Sequence, residues 1–500
     1  MVKVLLLEIF EVLVIVQNDD ELPLTVHIRA RLTLEFYFAA YPTRYASSLA
    51  PPALKDCRRS VRFSLPSISY QHLSGPFPTS GFRTMSRPLT YSHFARSLST
   101  ETAFDVLAVA NKLKAAGKDV IALQIGDSPF PSSTSALQAG KDAIDAGLTR
   151  YCASLGLPAF REACAKQVRD EFGIPATAAN VVVAPGAKPF ETFFCEAFLE
   201  PGDEVLLFSP AFPTYQPNVN RRGAKAVYTP LKQERDFRPD PAEVEHFLDT
   251  SPKPKAIFLN SPHNPTGGVA TPEDLKAIAD LIRGKNIALL SDEPYCHMVW
   301  EGSHKSILAE PGMMEQCVAA YTFSKSYSMS GWRLGFAIAA ESTIDLMGKM
   351  INTSVSCTPP LVQMAGKAAI ENDTAERTAT MAKFHKKVEM LVGALQTVPG
   401  VTVKMPKGTF YVFANVESIC EKLGLRSHGL AMFLLEAADD AKGVGCLGGE
   451  CFGAAGQGFL RFSCAETDER MLEAVEFLKV AIGRTDRVKA YLEANPKYRV

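Results

Sequence analysis

The sequence predicts an α/β fold: a large domain on a mostly parallel sheet, with a smaller α+β domain beside it. Three observations carry this. Beyond Thr100, short apolar and β-branched runs alternate with amphipathic helical stretches, the pattern of strands joined by crossover helices. The runs are apolar throughout rather than alternately polar, as befits strands covered on both faces. Near Thr353 to Pro360 the texture changes, and only two β-rich stretches follow a long charged helix.

Taken in order, the candidate strands are residues 181–184, 204–208, 256–260, 287–291, 318–322 and 334–339, with helices such as 272–283 between them. The second region holds a helix at 375–397, a β-rich stretch at 409–415 and a strand at 458–464. A helix at 104–116 stops at Gly117, before the large sheet begins, so it is expected to pack with the smaller domain. The expected organisation is therefore an extension at 1–84, an N-terminal arm and small-domain segment at 85–146, a large domain at 147–350 and a small domain at 351–500.

With 500 residues and 47% hydrophobic composition, the chain can bury the cores of two or three domains. Lys plus Arg number 53 against 54 Asp plus Glu, a balance that gives no reason for nucleic acid or an anionic membrane as partner. A small-molecule partner is expected. The 11 cysteines are scattered, and Cys446 with Cys451 has neither redox nor zinc spacing, so no metal site and a cytoplasmic location are expected. The opening run to Val16 carries Glu8 and Glu11 and is too short to span a bilayer. It lacks a signal-peptide cleavage site, and from Tyr41 to Thr100 the only acidic residue is Asp56. The expectation is an over-extended start, with Met85 as the first native residue and 1–84 disordered or removable.

In an open parallel sheet, ligands bind beyond the carboxyl ends of the strands. Four places fit. Pro185-Gly186-Ala187-Lys188 leads into a helix, which aims free N–H groups at an anion. That signal alone is weak, since a glycine before a helix is usually a turn. Ser261-Pro262-His263-Asn264-Pro265-Thr266-Gly267 leaves Asn264 as an amide on a fixed loop. Ser291-Asp292-Glu293-Pro294-Tyr295 sets a carboxylate and a phenol at a strand mouth, and Ser324-Lys325 follows another strand ahead of Gly331-Trp332-Arg333-Leu334-Gly335.

Together with Pro201-Gly202-Asp203-Glu204-Val205 and Leu460-Arg461-Phe462-Ser463, these motifs in this order resemble the class I and II aminotransferases, pyridoxal-phosphate (PLP)-dependent transferases of fold type I. The bacterial-subgroup aspartate aminotransferases are the most similar branch, and the resemblance runs from about Phe104 to Val480. It implies a reaction that moves an amino group between an L-amino acid and a 2-oxo acid. Lys325 would carry PLP on its amine and then move the α-proton. Asp292 would pair with the ring nitrogen. Two unit charges 4 Å apart at an effective dielectric near 20 attract by roughly 4 kcal/mol, enough to hold that nitrogen protonated. Asn264 and Tyr295 would bond the ring oxygen, and Phe212 would cover the ring face.

The resemblance further implies that Gly186, Ala187, Lys188, Thr322, Ser324 and Arg333 hold the phosphate, whose oxygens suit a guanidinium fork. Arg461, with Gly126 and Asn264, would bind the substrate α-carboxylate. Tyr151 matches a phenol that crosses to the neighbouring subunit's phosphate, which implies a homodimer with shared active sites. Lys188 and Pro189 stand where the family varies, and no arginine for a dicarboxylic side chain can be placed, so aspartate is only the default substrate. Aromatic or alanine-type amino acids are the alternatives. A PLP lyase on the same fold is a rival, since it also begins with α-proton removal. A transcription regulator is a second, but residues 41–100 offer no helix-turn-helix pattern.

Overall fold

The computed structural model describes residues 12–17, 25–30, 89–98 and 102–500. The chain divides into two compact units, Met1–Leu89 and Thr90–Val500. In the first, β1 (Val12–Gln17) and β2 (Thr25–Ala30) pair antiparallel with Val12 opposite Ala30. The remainder of the expected extension, and Met85, lie outside the described residues.

The strands of the second unit are β3 (Asp119–Ala122), β4 (Val181–Ala184), β5 (Glu204–Ser209), β6 (Lys225–Pro230), β7 (Pro254–Asn260), β8 (Ala288–Asp292), β9 (Cys317–Thr322), β10 (Gly335–Ile338), β11 (Tyr411–Asn415), β12 (Lys442–Gly445), β13 (Leu447–Gly448) and β14 (Phe459–Ser463). Seven form one sheet in the order β4-β10-β9-β8-β7-β5-β6. It is parallel except for β10, which runs antiparallel to both its neighbours. All six strands read from the sequence belong to it. The seventh, β6, escapes that reading because it is an edge strand: it is half-exposed, begins at Lys225 and ends at Pro230.

Side-chain alternation explains why the inner runs are apolar throughout. Val181, Val183, Leu206, Ile257, Leu259 and Leu289 pack on one face of the sheet. Val182, Val205, Leu207, Phe258, Leu290 and Val318 pack on the other. Each large aliphatic side chain so buried stabilises the fold by roughly 1.5–3 kcal/mol. The covering helices start where the sequence signals them. Ahead of helix Pro272–Ile282, Thr271 Oγ1 accepts from the Asp274 N–H at 3.2 Å and Asp274 Oδ2 accepts from the Thr271 N–H at 3.1 Å.

A second core surrounds the sheet β11-β14-β13 and the parallel pair β12-β3. It gathers Val106 and Ala110 from helix Thr102–Ala115, Phe384 and Leu391 from helix Thr374–Leu395, and Leu430 and Phe433 from helix Ser427–Glu436. Residue 350 falls inside helix Glu341–Val355. The next helix, Pro360–Asn372, buries Val362, Ala365 and Ala369 against the large sheet. Among the described residues, no helix is long and apolar enough to cross a membrane.

Candidate active site

Register brings the sequence motifs to one edge. Gly335 pairs with Ala184 on one side and Thr322 on the other, and Asn260 lies opposite Asp292. The carboxyl ends of β4, β9, β8 and β7 therefore finish together, and the residues after them meet. Gly186 has φ +92, a left-handed conformation that favours glycine, and the Arg333 guanidinium lies within 2.5 Å of where a Cβ would stand. Arg333 donates to the carbonyls of Ser330 at 2.8 Å and Pro185 at 3.3 Å. Thr322 Oγ1 lies 2.9 Å from the Ser324 hydroxyl and accepts from the Ser324 N–H at 3.2 Å. Ala187 N-caps the helix Lys188–Phe198 that starts here, with the positive end of its dipole at this loop.

Deeper in, Asp292 ends β8 and is buried. Tyr215, at the start of helix Tyr215–Arg221, donates to its Oδ2 at 2.6 Å. Burial pushes the Asp292 carboxyl up to about 6, with Glu293 adding to the rise while the Tyr215 bond and the Lys188 and Lys325 charges oppose it. Glu293 is used up elsewhere: its carboxylate accepts from Ser291 at 2.6 Å and Ser306 at 2.7 Å and lies 2.7 Å from His304 Nε2. Asp292 is thus the acid that remains for a ligand.

Lys325 is partly buried, and its Nζ donates to the Gly126 carbonyl at 2.6 Å. It lies 5.9 Å from the centre of the Tyr295 ring. Arg461, on β14, donates to Asn264 Oδ1 at 2.9 Å and the Gln124 carbonyl at 2.6 Å. Its Nε has no partner among the described residues although the side chain is buried, so donor capacity is left over for a ligand. The Tyr295 and Tyr411 hydroxyls are 3.1 Å apart. Burial and the neighbouring Tyr411 push the Tyr295 phenol well above its usual range.

Lys188 Nζ lies 5.2 Å from the centre of the Phe212 ring, which also meets Tyr215 edge-on. Tyr151 is 87% exposed, on the loop before helix Pro158–Phe172. Two residues absent from the sequence reading sit at the centre, Tyr215 and Tyr411. The set of side chains suits a ligand with an anion at one end, a basic group that could pair with Asp292, a carbon open to the Lys325 amine, and a carboxylate for Arg461.

Residues 118–478 match the family model described as aminotransferase class I and II. An aspartate aminotransferase of Pyrococcus horikoshii is 34% identical over 369 residues, 73% of this chain and 91% of the relative. Aromatic-amino-acid aminotransferase 2 of Thermococcus litoralis is 31% identical, over 71% of this chain and 90% of the relative. Among solved structures, the Thermus thermophilus aspartate aminotransferase with maleate is similar at TM-score 0.73 and 29% identity, covering 79% of this chain and 100% of that one. The family match runs through both the large sheet and the small one, and the relatives align over nearly their whole length. The chain belongs to the class I and II aminotransferases.

Proposed function

We propose that this aminotransferase works with pyridoxal 5'-phosphate carried on Lys325 and exchanges amino groups between L-amino acids and 2-oxo acids, aspartate first among the donors. The observation that carries the reading is the Lys325 amine, partly buried and tethered to the Gly126 carbonyl at 2.6 Å, at the edge of the large sheet where Asp292 ends β8 and where Arg461 of the small sheet bonds Asn264. A primary amine held beside the site in this way can serve as a nucleophile toward an aldehyde carbon. PLP, when bound, supplies an electron sink for the carbon that loses its proton.

The rest is done by the chain. Asp292 faces the ring nitrogen as a carboxylate, a state that its burial opposes and a cationic partner restores. Asn264 and Tyr295 hold the ring oxygen, and Phe212 covers the ring and keeps water from it. Gly186, Ala187, Lys188, Thr322, Ser324 and Arg333 take the phosphate. Arg461, with Asn264 and Gly126, orients the substrate by its α-carboxylate. Lys325 Nζ then serves as base at the α-carbon and as acid on the return.

The exposure of Tyr151 supports a phenol that serves a second subunit, and so a homodimer with shared sites. Every described cysteine is free, which suits the reducing cytoplasm. The aromatic-amino-acid relative makes aromatic donors the second reading. Borohydride reduction of the loaded protein, followed by peptide mapping, tests the central assignment. The adduct is expected on Lys325, and Lys325→Ala is expected to fold normally yet lose both adduct and turnover. An adduct on another lysine overturns the assignment.

A further inference from the structure

Thr409 has φ +66, a left-handed conformation that a β-branched residue rarely adopts. It is pinned on both sides: its N–H donates to the Met298 carbonyl at 2.8 Å, and its own carbonyl accepts from Trp300 Nε1 at 2.9 Å. Two residues on, the Tyr411 N–H donates to Thr409 Oγ1 at 3.2 Å. The strained residue therefore anchors the start of β11, where Tyr411 stands.

The buried Tyr411 side chain has three neighbours in the site. Its hydroxyl is 3.1 Å from that of Tyr295. Its ring lies under the Arg461 guanidinium, with Cζ 4.3 Å from the ring centre. Its hydroxyl also fills the space that any side chain on Gly126 would need. The register explains the second contact: Tyr411 lies opposite Ser463 and Phe413 opposite Arg461, so Tyr411 and Arg461 are diagonal neighbours on one face.

We propose that Tyr411 is a positioning residue for amino transfer: its ring fixes the plane of Arg461 and its hydroxyl donates to Tyr295, holding the carboxylate clamp and the ring-oxygen phenol as one unit. This rests on the reading above, in which Tyr295 serves the cofactor oxygen and Arg461 the α-carboxylate. The direction of the bond follows from hydrogen count. Tyr295 has one hydroxyl hydrogen, and once it is given to the ring oxygen, only the Tyr411 hydrogen can lie between the phenols. A phenol that accepts a hydrogen bond donates its own more strongly. Tyr411 thereby draws charge from the ring oxygen through Tyr295. The charged groups facing the pair are Asp292 at the end of β8, Lys325 after β9 and Arg461 on β14, and Tyr411→Phe alters none of them.

The test titrates the absorbance of the loaded protein against pH without substrate. Tyr411→Phe is expected to raise the midpoint by about half a pH unit or more. Weaker donation leaves more negative charge on the ring oxygen to hold the proton on the nitrogen that joins the cofactor to Lys325. In a Tyr295→Phe background the same substitution is expected to add nothing. The ring's share shows in KM: Tyr411→Leu is expected to raise it about fivefold or more, against less than about twofold for Tyr411→Phe. A midpoint moved by Tyr295→Phe but not by Tyr411→Phe overturns the proposal while leaving the site reading intact. A midpoint unmoved by Tyr295→Phe overturns that reading and the proposal with it. Equal KM values for the two Tyr411 variants remove the ring's part.

Discussion

Buried at the end of β8 with Tyr215 as donor, Asp292 holds its proton to about pH 6. In the unfolded chain the same carboxyl ionises near 3.9. Between those values the folded protein keeps a proton that the unfolded chain has released, so stability falls as pH rises through that window, by about 3 kcal/mol in all. Asp292→Asn still accepts from Tyr215 and has no charge to bury. Melting of the cofactor-free proteins is therefore expected to favour the variant increasingly from about pH 4 to about pH 6, with a constant gap above. Parallel melting profiles would show that the burial of this group is not what raises it. Loading the cofactor, which brings a cation to Asp292, is expected to close the gap. Lys325, Asp292, Asn264 and Arg461 were legible in the sequence because each sits in or directly after an apolar run, within a motif. Tyr215 and Tyr411 were not. A tyrosine at a helix start or in a strand reads as core, and only the fold carries Tyr215 across 77 residues to Asp292.

Strands were legible where burial on both faces makes them uniformly apolar, as in β4, β7 and β8. Direction was harder. β10 runs against its neighbours because the chain between Thr322 and Gly335 forms no crossover helix, only the short turn Ser330–Trp332, and reverses through Arg333 at φ +54. That turn places Gly335 against the Gly186 loop. A Cβ on Gly335 would stand 2.6 Å from the Gly186 carbonyl carbon and 2.7 Å from the Tyr321 oxygen, both backbone atoms that cannot swing aside. Gly335→Ala is expected to cost about 1–3 kcal/mol in denaturant melts and to weaken cofactor retention, since the Gly186 turn must move. A stability change within about 0.5 kcal/mol would mean that the turn is not set by this contact.

On the scale of the whole molecule, the site joins two cores. Lys325, Asp292 and Asn264 come from the large sheet, whereas Arg461 and Tyr411 come from the small one. Arg461 bonds to Asn264 across 197 residues and to Gln124 across 337. Separations of that size leave no trace in local pattern, which is why the sequence yielded the parts and their order but not the junction between them. In the proposed reading, the junction also sets specificity: a carboxylate held by Arg461 from the small sheet would present its α-carbon to the Lys325 amine of the large one. The most direct test is a single half-reaction: protein loaded with PLP, an L-amino acid donor with aspartate tried first, and no 2-oxo acid. The account predicts a single equivalent of the matching 2-oxo acid per chain, conversion of the cofactor to its amine form, and then arrest until an acceptor is added. Continuous release of ammonia without an acceptor would contradict it.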